Sequence, residues 1–212
     1  MRHAILGTFA FLLLLPSPSG AVVLHDEAAN GDLSNDRLVP TELFPAVGTN
    51  SIIATSVFGD REYFSLTLPA GTRLTAINLV SFSTADLAFI AVQSGSTFTE
   101  PPTGANVAKI LGYTHFGPDG GATGDILDDM GVGAGSMGFV PPLPSGTYTF
   151  WAQQLNGPTT YQLDFVVAPE PVPSIGPLGL VALMSLIGGI GMRGTWFGVG
   201  SSGGRGPRRS PS

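Results

Sequence analysis

The chain has 212 residues, a formal net charge of −6, 43% apolar residues and no cysteine, so disulfides, thiolate metal sites and a cysteine nucleophile are all excluded. Fourteen of its fifteen acids fall within residues 26–164, together with only Arg37, Arg61, Arg73 and Lys109 of the nine bases. That region carries about −10, which argues against nucleic acid as a partner, because phosphate binding needs a basic patch.

Residues 1–21 have the parts of a secretory signal peptide: Arg2 as the charged start, an apolar stretch over 4–15, and Ser19-Gly20-Ala21 as a small-residue cleavage site. The cut is expected after Ala21. Residues 22–168 form one domain, long enough to bury its own core. Without disulfides, that core must hold by packing alone or by packing plus a bound cation. Over 22–50 the chain reads as an irregular lead-in, because Glu27, Asn30, Asp32, Ser34, Asn35 and Asp36 interrupt any apolar period.

From residue 51 the apolar period becomes two. Segments 51–58, 62–68, 73–82 and 87–93 are rich in Val, Ile, Thr, Phe and Tyr and bounded by Gly, Pro, Asp or Ser, the signature of strands. Phe64, Leu66 and Leu68 share one face, with Ser65 and Thr67 on the other, so one face packs and one is wet. Residues 95–144 are rich in Gly and Pro, interrupted by Lys109-Ile110-Leu111-Gly112-Tyr113 and a helical turn at 125–130. Strands at 146–155 and 159–167, joined by Asn156-Gly157-Pro158, read as a terminal hairpin. Leu68-Pro69-Ala70-Gly71-Thr72 and Leu143-Pro144-Ser145-Gly146-Thr147 echo each other as turns feeding strands. Short strands at this spacing predict an all-β fold, an antiparallel β-sandwich of jelly-roll-like type.

The segments Asp60-Arg61-Glu62-Tyr63-Phe64-Ser65-Leu66-Thr67-Leu68-Pro69-Ala70-Gly71-Thr72, Leu143-Pro144-Ser145-Gly146-Thr147-Tyr148 and Tyr161-Gln162-Leu163-Asp164-Phe165 resemble the bacterial pre-peptidase C-terminal domain. The lead-in over 30–35 is similar to that family's asparagine-bearing opening. The resemblance implies a small β-sandwich of the kind found beside secreted enzymes.

Beyond the domain, Ala168-Pro169-Glu170-Pro171 leads into an uncharged run over 172–192 and a basic tail over 193–212 that carries Arg193, Arg205, Arg208 and Arg209. At the helical rise, 175–192 spans about 27 Å, enough for a transmembrane helix, placed at 174–192. Pro177 and five glycines in the run are tolerated in membrane segments. This tripartite layout resembles the PEP-CTERM sorting signal of exported bacterial proteins, with Pro169, Glu170 and Pro171 as its motif. The resemblance implies an exosortase-type processing enzyme as partner and either removal of the helix or retention as a single-pass anchor. Arginines kept on the cytoplasmic side would place the acidic domain outside.

For catalysis the mature domain offers two imidazoles, His25 and His115, with no Gly-x-Ser-x-Gly elbow or His-Glu-x-x-His pair beside them. Asp119, Asp125, Asp128 and Asp129 fall within eleven Gly-rich residues and are the candidate metal ligands. They would hold calcium through flexible loop oxygens, or else form a solvated loop of caps and turns. Asp60 and Glu62 form a second, weaker carboxylate candidate, better read as the start of a strand. Tyr148, Phe150, Trp151 and Tyr161 would supply a sugar-binding platform if exposed, although alternation puts either Phe150 or Trp151 in the core. The expected function is that of an exported surface or extracellular-matrix protein, structural or adhesive and not an enzyme, in contact with the membrane and with surface polysaccharide. The alternatives are a carbohydrate- or calcium-binding module and a secreted hydrolase accessory domain.

Overall fold

The computed structural model describes residues 20–154 and 156–172. The signal-peptide start and apolar stretch, the transmembrane helix at 174–192 and the basic tail lie outside the described residues. The chain divides between Glu170 and Pro171, and the first unit holds all the regular structure among the described residues.

That unit is all-β. Its strands are β1 (Val22–Asp26), β2 (Thr41–Leu43), β3 (Gly48–Ser56), β4 (Arg61–Phe82), β5 (Ala88–Ser94), β6 (Gly112–Phe116), β7 (Gly124–Asp125), β8 (Leu143–Gln154) and β9 (Thr159–Pro169). Two short helices, α1 (Glu27–Asn30) and α2 (Leu127–Gly131), accompany them. The strands join in the order β1-β3-β9-β4-β8-β5-β6, with β2 and β7 also on β4. Most ladders are antiparallel as expected, but β1–β3 and β2–β4 run parallel.

The lead-in is more regular than its sequence suggests. Strand β1 pairs with β3, the Asp26 carboxylate caps α1 by accepting from the Ala28 N–H (3.0 Å), and Gly31 ends the helix at φ 87°. The polar residues that break the apolar period are those that cap and turn this segment.

Two predicted strands are in fact one. Strand β4 runs through Leu68-Pro69-Ala70-Gly71-Thr72, where the expected turn is only a break in register with Gly71 at φ 72° and the Thr72 hydroxyl donating to the Pro69 carbonyl (2.7 Å). Before the break β4 pairs mainly with β8, and after it mainly with β9. The terminal hairpin is overturned for the same reason. Strands β8 and β9 both bond to β4 and not to each other, and the connection through 156–158 carries the chain from one side of β4 to the other. The three strands meet at Phe64, Phe150 and Phe165, whose ring centroids lie 5.3–5.8 Å apart.

Phe64, Leu66 and Leu68 are buried in this main core as predicted. The opposite face is wet only at Thr67, since Ser65 is buried and Tyr63 enters a second cluster with Trp151, Phe98, Ala91 and Ile110. This cluster lies on the reverse of the sheet, beneath the segment carrying Phe98 and Ile110. Phe150 and Trp151 therefore both pack, on opposite faces. The helical turn expected at 125–130 appears as α2, and the segment Lys109-Ile110-Leu111-Gly112-Tyr113 that interrupts the Gly- and Pro-rich stretch leads into β6.

Candidate functional site

The four aspartates singled out by spacing do not come together. Asp125 Oδ1 accepts from the N–H groups of Ile77 and Leu127, both at 3.0 Å, and so ties the start of α2 to β4. Asp128 and Asp129 stand exposed in the first turn of α2, where carboxylates suit the helix dipole. Asp119 is exposed on the preceding loop, its N–H donating to the Asp86 carbonyl.

The imidazoles are also apart in role. His25 is buried, and its Nε2 donates to the Gly31 carbonyl (2.9 Å). His115 is exposed on β6, its ring against Phe89 at 5.5 Å. Tyr148, Phe150, Trp151 and Tyr161 are all buried, so none offers a ring to a sugar at the surface. Ala21 is exposed just ahead of β1, while Pro169 closes β9 and Glu170 donates its N–H to the Gly71 carbonyl (2.8 Å).

The group that does converge is one that spacing alone half missed. Glu27, Asp32 and Glu62 each place a carboxylate oxygen within 4.8 Å of the others. Glu27 opens α1 directly after its cap, with Oε1 accepting from the Leu33 N–H (3.3 Å) and Oε2 from the Thr55 N–H on β3. Asp32 follows the helix-ending Gly31 and faces solvent. Glu62, the second residue of β4, is 0% exposed, and no N–H or hydroxyl donor reaches either of its oxygens; its side-chain partner is the carboxyl of Asp60. Asp60 stands beside them, its Oδ1 accepting from Asn35 Nδ2 (2.9 Å), while Asn35 Oδ1 accepts from the Arg61 N–H (2.9 Å).

Electrostatically the cluster is one-sided. Burial, then the carboxylates of Glu27, Asp60 and Asp32, push the Glu62 carboxyl up to about 10. Asp32 is raised by burial and by Asp60, with His25 acting the other way. The Tyr161 hydroxyl is fully buried, has no hydrogen-bond partner, and is raised by burial and then by Glu62, Glu27 and Asp60. Among the described residues the ion pairs comprise Lys109 with Glu100 (3.6 Å), so no lysine or arginine neutralises the cluster.

The sequence signal for this site was the asparagine- and aspartate-bearing lead-in followed by the Asp60–Glu62 pair, but sequence spacing does not bring residue 27 beside residue 62. Comparison with known proteins adds no relative: no family model, no curated protein and no solved structure matches the chain.

Proposed function

We propose that the chain is an exported, surface-associated protein of structural or adhesive type, a jelly-roll-like β-sandwich that acts outside the cell and is sorted through its C-terminal segment. The observation that carries this reading is where the folded unit stops. Strand β9 ends at Pro169, Glu170 makes the last backbone bond to the sheet, and the compact unit closes between Glu170 and Pro171. A cut at the Pro169-Glu170-Pro171 motif would therefore release the domain with its ladders intact. The segregation of acids into 26–164 and of the remaining arginines to the two ends supports the same orientation.

A non-catalytic role fits the fate of the two imidazoles, one holding a carbonyl of the lead-in and the other exposed on a strand without a carboxylate partner among the described residues. The test is the intact mass of the protein recovered from the cell surface and medium of its native host. A chain beginning at Val22 and ending near residues 169–173 is the expected result. A chain extending through Ser212 would sink the processing reading and leave a permanent anchor.

A further inference from the structure

We propose that Glu27, Asp32 and Glu62 form a binding site for a divalent cation, and that the cation is calcium. Two observations beyond the clustering of acids point to a ligand. Glu62 is fully buried with no N–H or hydroxyl donor on either oxygen and only another acid, Asp60, as its side-chain partner, although a buried carboxyl held among acids is among the most costly groups a fold can contain. The Tyr161 hydroxyl is a second unpartnered buried group, and Tyr161 pairs with Ala54 on β3, next to the Thr55 N–H that donates to Glu27. Folded proteins satisfy nearly all such atoms with donors, so a buried carboxyl without one marks a spot built for something else.

The donor chemistry selects the ion. All three donors are carboxylate oxygens, the choice of a hard cation, and neither sulfur nor an imidazole nitrogen belongs to the group. Glu62 can bind through both oxygens. Each Glu27 oxygen accepts one backbone N–H and keeps a lone pair, and those bonds orient the carboxylate as outer hydrogen bonds orient metal ligands. Asp32, exposed at the rim, supplies an entry path and room for coordinated water. Carboxylates from a helix start, a loop and a strand suit calcium, which accepts six to eight irregular ligands, better than magnesium, which demands a near-octahedral shell.

The three acids also join distant parts of the chain. Glu27 and Asp32 belong to the N-terminal lead-in and Glu62 to the sheet, so the cation staples the lead-in down in a protein that has no disulfides. It would replace mutual repulsion by attraction at the same spot, where the effective dielectric is well below that of water and charges act strongly on one another.

The test uses the full chain purified in detergent, stripped with EDTA, then titrated with calcium chloride or magnesium chloride while melting temperature and binding heat are followed. Calcium is expected to bind with a dissociation constant of about 10⁻⁴–10⁻³ M, as extracellular sites do, and at a hundredfold excess to raise the melting temperature by roughly 5–10 °C, magnesium giving much less. Glu62→Gln should melt in EDTA at or above the wild-type temperature yet gain nothing from calcium. If that variant does not fold, Asp32→Asn at the exposed rim should lose at least half of the calcium-dependent rise. The double variant Asp128→Asn and Asp129→Asn should keep all of it. The proposal is overturned if wild type shows no rise, if the rise survives both Glu62→Gln and Asp32→Asn, or if it vanishes in the α2 double variant. A magnesium response equal to that of calcium would overturn the identity of the ion.

Discussion

Glu62 shows at the scale of one residue how burial sets chemistry. Its carboxyl, ordinarily near 4.5, is pushed to about 10 by desolvation and then by Glu27, Asp60 and Asp32, so in the cation-free fold it holds its proton at neutral pH. A raised folded value means that the stability Glu62 contributes is complete below about 4.5 and is lost as pH rises through about 10. In EDTA, the stability of wild type relative to Glu62→Gln is therefore expected to fall steadily across that window. Urea midpoints at several pH values measure it, and parallel curves for the two proteins would refute it. The Tyr161 hydroxyl gives a second prediction, since a buried donor without a partner destabilises by about 1–3 kcal/mol. Tyr161→Phe should accordingly be as stable as wild type in EDTA or more so, by calorimetry. A large loss would mean that the hydroxyl is bonded after all. Residue identity alone named Glu62 as one half of a carboxylate pair, yet the pair it forms in sequence, with Asp60, is only part of the group it joins in space.

At the scale of elements, β4 organises the molecule. One 22-residue strand bonds to β8 up to Leu68 and mainly to β9 from Thr72 on, so its core residues serve both halves of the sheet. Phe64 lies where those halves meet, stacked on Phe150 and edge-on to Phe165. Phe64→Ala is expected to cost about 3–5 kcal/mol, read as a lowered denaturation midpoint at unchanged slope. Two glycines separate strain from crowding. Gly71 has a φ of 72° but open space where a methyl group would sit, so Gly71→Ala should cost about 1 kcal/mol through backbone strain. At Gly112 on β6 a Cβ would meet the Met130 carbonyl oxygen at 2.4 Å and Phe139 at 2.6 Å, so Gly112→Ala must push α2 and the following loop off the sheet. It is expected to destabilise several times more than Gly71→Ala in the same melts, and equal losses would show that the contact yields. Strands β3, β4 and β5 were legible because they are rich in β-branched, aromatic and other apolar residues and bounded by turn residues, with alternation clear over Phe64 to Leu68 of β4. Strands β1 and β2 were not, being short parallel additions whose polar residues cap turns.

For the whole molecule, the boundary at Glu170 makes a direct prediction. A chain of residues 22–170 keeps every ladder described, including β9 between β3 and β4, and should melt in one transition at the temperature of the full protein. A chain stopping at 158 lacks β9 and with it Tyr161, Leu163, Phe165 and Val167 of the core, and should not fold. Loss of cooperativity in the longer fragment would show that residues beyond Glu170 support the domain. Composition and period determined by themselves the all-β class, the burial of Phe64, Leu66 and Leu68, the strand content of the chain's last described stretch, and the exclusion of cysteine chemistry. These are local properties, written in alternation and residue type. Only the tertiary structure decided that β8 and β9 flank β4 instead of forming a hairpin, that Phe150 and Trp151 are both buried, and that Glu27 and Asp32 meet Glu62 while Asp119, Asp125, Asp128 and Asp129 stay apart. Pairing partners and convergent side chains depend on which strands share a ladder, and a period of two looks the same whether the next strand turns back beside its neighbour or crosses to another place in the sheet.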